Sequence, residues 1–412
     1  MSYLSAIQCK KCGQRYQADK STYLCPKCEG PLDIIYDYDR IVTKLSRSTL
    51  EARPMGVWKY QELLPLTTDT KVNLGEGGTE LVKCEKLGKA LGLENLYVKN
   101  ETMNPTGSFK DRGMAITISK AVEFGAKTIV IASTGNAAIS AAAYAAKAEL
   151  DCYVFVLAET PLAKITQIRI YGSKVIAVKG SLDDAFQLSN DACEKYGWHD
   201  VTSSIKVNPW HGEGLKTIAF EIIEQLDWKS PDWVIVPVGS GSNLTANWKG
   251  FKELRRVHLI DDLPRMIGAQ PSGIAPLIKT YKQGMEPGEI EPWKERKTIA
   301  SGIGSLFPPD GDTALIAIRE SGGVAEEVTD KEILQAEIQL ARKEGIFAEP
   351  TGAIPVATAK KLLDAGIINR DDTIVLEITG GGLKDLDPLT MIFHEYPVIA
   401  PTFLELEKVL HS

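Results

Sequence analysis

Seven short apolar runs, each followed by a stretch with helical spacing, constrain this chain more than any other feature. They are LYVK (96–99), TIVIAS (128–133), CYVFVLA (152–158), KVIAVKG (174–180), WVIVPVG (233–239), RMIGAQ (265–270) and TIVLEITG (373–380). Runs so continuous in Val, Ile and Leu suit strands covered on both faces, as in parallel sheets. Between them lie helical patterns such as SFKDRGMAITISKAVEFGA, NAAISAAAYAAKAEL, GLKTIAFEIIEQL and TDKEILQAEIQLARKEG. Strand–helix alternation points to an open α/β architecture. Such folds bind ligands beyond the carboxyl ends of their strands, so the residues just after each run are the place to look. SGIGSLFPPDGDT (301–313) reads as a loop of the kind that lines sites. With 412 residues there is room for two or three domains.

The first 28 residues carry a second constraint. Cys9, Cys12, Cys25 and Cys28 have the spacing C-x2-C-x12-C-x2-C, which places four thiolates around one tetrahedral Zn²⁺. With all four positions cysteine, the site is closed and structural rather than catalytic. Gly13 and Gly30 follow the two pairs and suit the turns. Three further cysteines are scattered, and an odd total of seven without an export signal argues against a disulfide framework.

A net charge of −7 gives no electrostatic reason to expect nucleic acid or an anionic membrane as partner. No apolar run is long enough to span a bilayer, and the N-terminus lacks the apolar stretch of a secretory signal. The expected location is the cytoplasm.

After LYVK comes NETMNPTGSFKDRG (100–113). Asn104-Pro105-Thr106-Gly107 is turn chemistry, and Ser108 is placed to cap the helix that follows. Lys110 then sits in the first helical turn, where the local dipole opposes a cation. Such an amine, partly desolvated, has its pKa pushed down and can attack an aldehyde. GSGSN (239–243) follows another strand and opens a helix, so its backbone N–H groups can hold a phosphate.

NPTGSFKDRG resembles the active-site segment of the threonine synthase family, within the fold-type II pyridoxal-phosphate enzymes. LGEGGTEL (74–81), STGNAA (133–138), VPVGSGSN (236–243), EGIFAEPTGA (344–353) and ITGGGLKD (378–385) continue the resemblance in the family's order, and some members carry an N-terminal zinc ribbon. The resemblance implies a tryptophan synthase β-like fold with two open parallel-sheet α/β domains. The implied organisation is a ribbon over 1–45, a larger cofactor-binding domain over 46–100 and 206–412, and a smaller domain over 101–205. It also implies pyridoxal 5′-phosphate bound through Lys110, the catalytic lysine. Gly239, Ser240, Gly241, Ser242 and Asn243 would cradle the phosphate, Asn136 would bond the phenolic oxygen, and Thr379 would face the ring nitrogen. Ser133, Thr134 and Gly135 would receive the substrate carboxylate. The implied reaction is a lyase converting O-phosphohomoserine and water to threonine and phosphate, in a homodimer acting on a small amino acid.

Several substrate-facing positions depart from the family's pattern. Trp210 and His211 stand where a bulky residue and an arginine are common, Gly381 where a histidine is usual, and Ala137 in place of a hydroxyl residue. The 301–313 loop looks more like that of β-replacing or β-eliminating relatives. Arg112, Lys99, Lys216 and Lys384 are the candidate cations for substrate phosphate. A paralogue performing β-replacement or β-elimination on serine, threonine or a phosphorylated amino acid is the alternative. A ribbon serving as an interaction module on an inactive body is a third reading, which Lys110 opposes.

Overall fold

The computed structural model describes residues 2–18, 24–390 and 392–411. Residues 1 and 19–23 of the expected ribbon lie outside the described residues. Strands β1 (Leu4–Cys9), β2 (Arg15–Tyr16) and β3 (Leu32–Tyr36) form a three-stranded antiparallel sheet with β1 in the centre. It delivers Cys9 at its edge. The sulfurs of Cys9, Cys12, Cys25 and Cys28 lie within 4.8 Å of one another, with Cys9–Cys28 at 3.6 Å and Cys12–Cys25 at 3.7 Å. Four ligands at about 2.3 Å from a tetrahedral zinc would stand about 3.8 Å apart, so the quartet fits the ion. The N–H groups of Lys11 and Cys12 donate to Cys9 Sγ at 3.4 Å each. Gly30 answers to space rather than to a turn, because a Cβ there would come within 2.9 Å of Cys9 Sγ.

The rest of the chain builds two sheets. Strands β4 (Leu81–Lys83) and β5 (Asn95–Asn100) come first. A block of four follows: β6 (Thr128–Ala132), β7 (Asp151–Leu157), β8 (Lys174–Val178) and β9 (His199–Asp200). Then come β10 (Trp233–Pro237), β11 (Arg265–Pro271), β12 (Val324–Val328) and β13 (Thr373–Ile378). The block forms its own parallel sheet in the order β8-β7-β6-β9, and the other six join as β12-β11-β10-β13-β5-β4. Only β4, at the edge, runs antiparallel within the larger sheet. All seven apolar runs contain a strand. The most apolar, β10, is buried along its whole length because sheet neighbours and helices cover it.

Register decides where the loops meet. Trp233 pairs with Ile374, and Ile374 with Leu96, so β10, β13 and β5 run in step. Their carboxyl ends release the segments 239–243, 379–381 and 100–110 side by side. From the smaller sheet, β6 releases Ser133–Asn136. The helix Asn136–Lys147 buries six alanines beside Ile139, Ser140 and Tyr144, and the small side chains let it lie close to the helix Lys110–Glu123. The helix Asp330–Glu344 opens with a Thr329–Glu332 capping box and closes at Gly345 with φ 70°. No helix among the described residues is long and apolar enough to cross a membrane.

Tyr36 on β3 donates to Glu213 at 2.6 Å, and Lys249 pairs with Asp33 at 2.7 Å. These contacts fasten the ribbon to the helices Pro209–Leu215 and Ser242–Arg256.

Candidate active site

Lys110 is the first residue of its helix, and the turn before it is pinned from two directions. Phe109 N–H donates to Thr379 O at 3.0 Å and Gly381 N–H to Gly107 O at 2.9 Å, tying the turn to the end of β13. Asp111 accepts from Thr106 N–H and Oγ at 2.7 and 2.6 Å, and from Ser140 Oγ at 2.6 Å. A rigid turn therefore presents the lysine. Ser108 does not cap the helix: the residue before Lys110 is Phe109, already in helical conformation, and Ser108 Oγ is buried without a partner.

The Lys110 amine opens onto a cavity of about 220 Å³ at the carboxyl ends of both sheets. Burial lowers its pKa to about 8, against a smaller opposing pull from the Asp310 carboxylate. No ion pair of Lys110 exists among the described residues. The same cavity is lined by Ser133, Thr134, Gly135, Asn136, Gly239, Ser240, Gly241, Asn243 and Thr379. Every expected cofactor or substrate residue except Ser242 thus reaches one space. Ser242 contributes no wall because its hydroxyl turns to Asp310, at 2.5 Å.

The glycine-rich turn is stiffened from behind. Gly241 has φ 100°, and a Cβ there would lie 2.5 Å from Asp310 O. The buried Asp310 carboxylate accepts from Ser242 Oγ, from Ser204 Oγ at 3.1 Å and from Lys206 N–H at 2.7 Å, while Asp310 N–H donates to Ser240 O at 2.8 Å. One aspartate joins the 301–313 loop, the 239–243 turn and the 203–206 segment. Asn243 Nδ2 is held by Glu377, at 2.5 Å, so its side-chain amide is engaged. What the turn offers an anion is backbone N–H at the start of the helix Ser242–Arg256.

Asn136 is the first residue of its helix, with Gly135 as the cap. Its amide donates to both oxygens of the buried Glu349, at 2.9 and 3.2 Å. Burial raises the Glu349 pKa. Thr379 Oγ1 is buried and has no hydrogen-bond partner. Buried hydroxyls are nearly always partnered, so an orphan lining a cavity marks a place where a ligand's polar atom belongs. A reactive amine, an unanswered hydroxyl and a glycine-rich turn at a helix start, in which Ser242 N–H already donates to Ser240 Oγ at 3.3 Å, fit pyridoxal phosphate.

Three of the four candidate phosphate cations are engaged elsewhere. Arg112 is fully buried and forks onto Glu101 and Glu221, each at 2.7 Å, and Lys99 reaches Glu221 at 2.7 Å. Lys216 is enclosed by Glu213 at 2.6 Å and Glu253 at 2.7 Å. None lines the cavity. Trp210 packs on Phe124 and beneath the Lys120 ammonium. His211 is fully buried, and burial together with the nearby Lys110 drives its pKa well down, so it is neutral. Asp111, Asp310 and Glu349 escaped the sequence reading, although Glu349 stands directly before Pro350 at a helix start. A larger groove of about 1010 Å³ runs between the ribbon and the helix Ser242–Arg256, but its Lys249 is already paired with Asp33 and Glu213.

Residues 72–380 match the family of pyridoxal-phosphate dependent enzymes. The threonine synthase of Methanocaldococcus jannaschii is 47% identical over 382 residues, 92% of this chain and 93% of that protein. The threonine synthase of Methanosarcina acetivorans is 44% identical over 387 residues, 94% and 93% of the two chains. Among solved structures, the processed form of threonine deaminase isoform 2 from Solanum lycopersicum has a TM-score of 0.66 at 24% identity. It covers 77% of this chain and 87% of that one, a likeness that speaks for the fold-type II architecture.

Proposed function

This chain belongs to the pyridoxal-phosphate dependent enzymes and, among them, to the threonine synthase family; on that premise we propose that it is a lyase converting O-phosphohomoserine and water to threonine and phosphate. The observation that carries the reading is the Lys110 amine, facing one cavity together with the unpartnered Thr379 hydroxyl and the Gly239–Asn243 turn.

Lys110 would hold the cofactor, with its phosphate on the backbone N–H groups of Gly239, Ser240, Gly241, Ser242 and Asn243. Thr379 would meet the ring nitrogen. A hydroxyl cannot keep that nitrogen protonated as a carboxylate would. Asn136 would meet the phenolic oxygen, its amide oriented by Glu349. When bound, the cofactor supplies a conjugated ring that delocalises negative charge at the substrate's Cα. Ser133, Thr134 and Gly135, at another helix start, would take the substrate carboxylate. Lys110 Nζ would remove the Cα proton, and a pKa near 8 leaves part of it neutral at working pH. Asp310 is the nearest counter-charge to the protonated form.

Incubation with O-phosphohomoserine should give threonine and inorganic phosphate in equal amounts. Neither product above background would sink the assignment. One observation favours the alternative of β-elimination: Lys110 is the sole lysine or arginine among the cavity's described lining residues, a setting that suits an uncharged hydroxy-amino acid. A 2-oxo acid and ammonia from serine or threonine, without phosphate release, would select it.

The three sheets support the division into a ribbon (1–45), a larger unit (46–100 and 206–412) and a smaller unit (101–205). Cytoplasmic residence suits four thiols that need a reducing compartment to bind metal. Exposed Phe393, Tyr396, Val398, Phe403 and Leu410 support self-association as a homodimer, which light scattering would read directly.

A further inference from the structure

A substrate carrying a phosphate needs a cation or convergent hydrogen bonds at the far end of its pocket. Apart from Lys110 and the Glu349 carboxylate, the polar groups on the cavity walls are hydroxyls and amides, and three of the four candidate cations are locked in buried pairs. Lys384 donates to Thr106 O at 2.5 Å, with Glu349 and Asp111 close enough to act on its charge. Lys164 is less enclosed than these, although its charge too acts on the buried Glu349. It lies in the first turn of the helix Leu162–Arg169, is half-buried, and has no ion-pair partner among the described residues. Its ammonium donates to Ser301 Oγ at 3.1 Å. Ser301, unlike Lys164 itself, lines the cavity with Lys110 and Asn136, and its hydroxyl donates to Asp385.

We propose that Lys164, presented through Ser301, is the cation that receives the substrate's phosphate. The proposal rests on the reading of the substrate as O-phosphohomoserine. An ammonium has three donors, and one accepting hydroxyl leaves the others available. The start of the Leu162–Arg169 helix adds partial positive charge beside it. Ser301 fixes the direction of the amine, and Asp385, by accepting the hydroxyl's hydrogen bond, keeps its lone pairs turned to Lys164. The same phosphate is the leaving group and gains negative charge as its bond to carbon breaks, so a cation on it serves both substrate binding and departure.

The test uses the holoenzyme, with O-phosphohomoserine as substrate and inorganic phosphate as competing anion. Lys164→Met should raise KM for O-phosphohomoserine by roughly 10- to 100-fold. It should weaken inhibition by phosphate in parallel and lower kcat as well, because the charge on the departing phosphate loses its partner. Lys164→Arg should recover most of the loss. Lys174→Met, on an exposed pair with Asp151, serves as the control for charge alone. If Lys164→Met does not fold, Lys164→Gln carries the same comparison. Unchanged KM and unchanged phosphate inhibition, or a larger effect from Lys384→Met than from Lys164→Met, overturns the assignment. A wild-type enzyme that processes serine but not O-phosphohomoserine would instead overturn the functional reading. Phosphate inhibition of that serine reaction, lost in Lys164→Met, would then still support an anion site at Lys164, and its persistence would overturn it.

Discussion

Lys110 and Arg112 are two residues apart on one helix, yet their surroundings differ completely. Arg112 places its guanidinium between Glu101 and Glu221, with Thr79 and Thr217 accepting as well, and Lys99 completes the group. Every charge there has an answer inside the protein. On the other side of the turn, Lys110 has no ion pair and the Thr379 hydroxyl no partner among the described residues, and both line the cavity. Networks satisfied from within hold a fold, whereas polar groups left unsatisfied beside a cavity wait for a ligand.

Substitutions on the two sides should therefore separate cleanly. Lys110→Ala should reduce turnover by roughly 10³-fold or more while leaving thermal stability near wild type. Borohydride treatment of the holoenzyme should attach the cofactor's mass to this side chain in the wild type; a label found on another lysine would refute its role. Arg112→Leu should cost about 3–5 kcal/mol of stability, because it strands two buried carboxylates. A melting curve like the wild type's would show that the network is not structural.

Smaller effects sharpen the contrast. Thr379→Val should change the stability of the cofactor-free protein by no more than about 1 kcal/mol, since it removes a hydroxyl with no partner. Cofactor affinity should fall roughly tenfold; a titration showing unchanged affinity would remove Thr379 from the site. Finally, with its pKa lowered to about 8, Lys110 is protonated below that pH and neutral above it. The cofactor-free protein should react with a small aldehyde in a curve centred near pH 8, and a midpoint at an ordinary lysine's value near 10.4 would contradict the burial argument.

Legibility in the sequence followed the same divide. Strand β10 and the end of β13 announce themselves because unbroken apolar runs admit few other readings. β12 does not, since Val-Ala-Glu-Glu-Val puts two glutamates at an edge where Lys282 meets them. β9 is two residues long and carries no pattern. The Lys110 motif and the turn at 239–243 were readable as local chemistry. Arg112, Lys99 and Lys216 were not, because a sequence displays a charge without its partner, and Glu221 stands 122 residues from Lys99. Asp310 and Glu349 are lone carboxylates whose meaning arises only when distant loops converge. Ser108 was misassigned as a cap because the chain enters the helix one residue later, through Phe109.

Asp310 grips the roof loop, the anion-holding turn and the 203–206 segment at once. The lid and the floor of the chamber are in effect a single mechanical part. Any shift of the 301–313 loop would therefore tug on the 239–243 turn through this one carboxylate, so the two cannot rearrange independently.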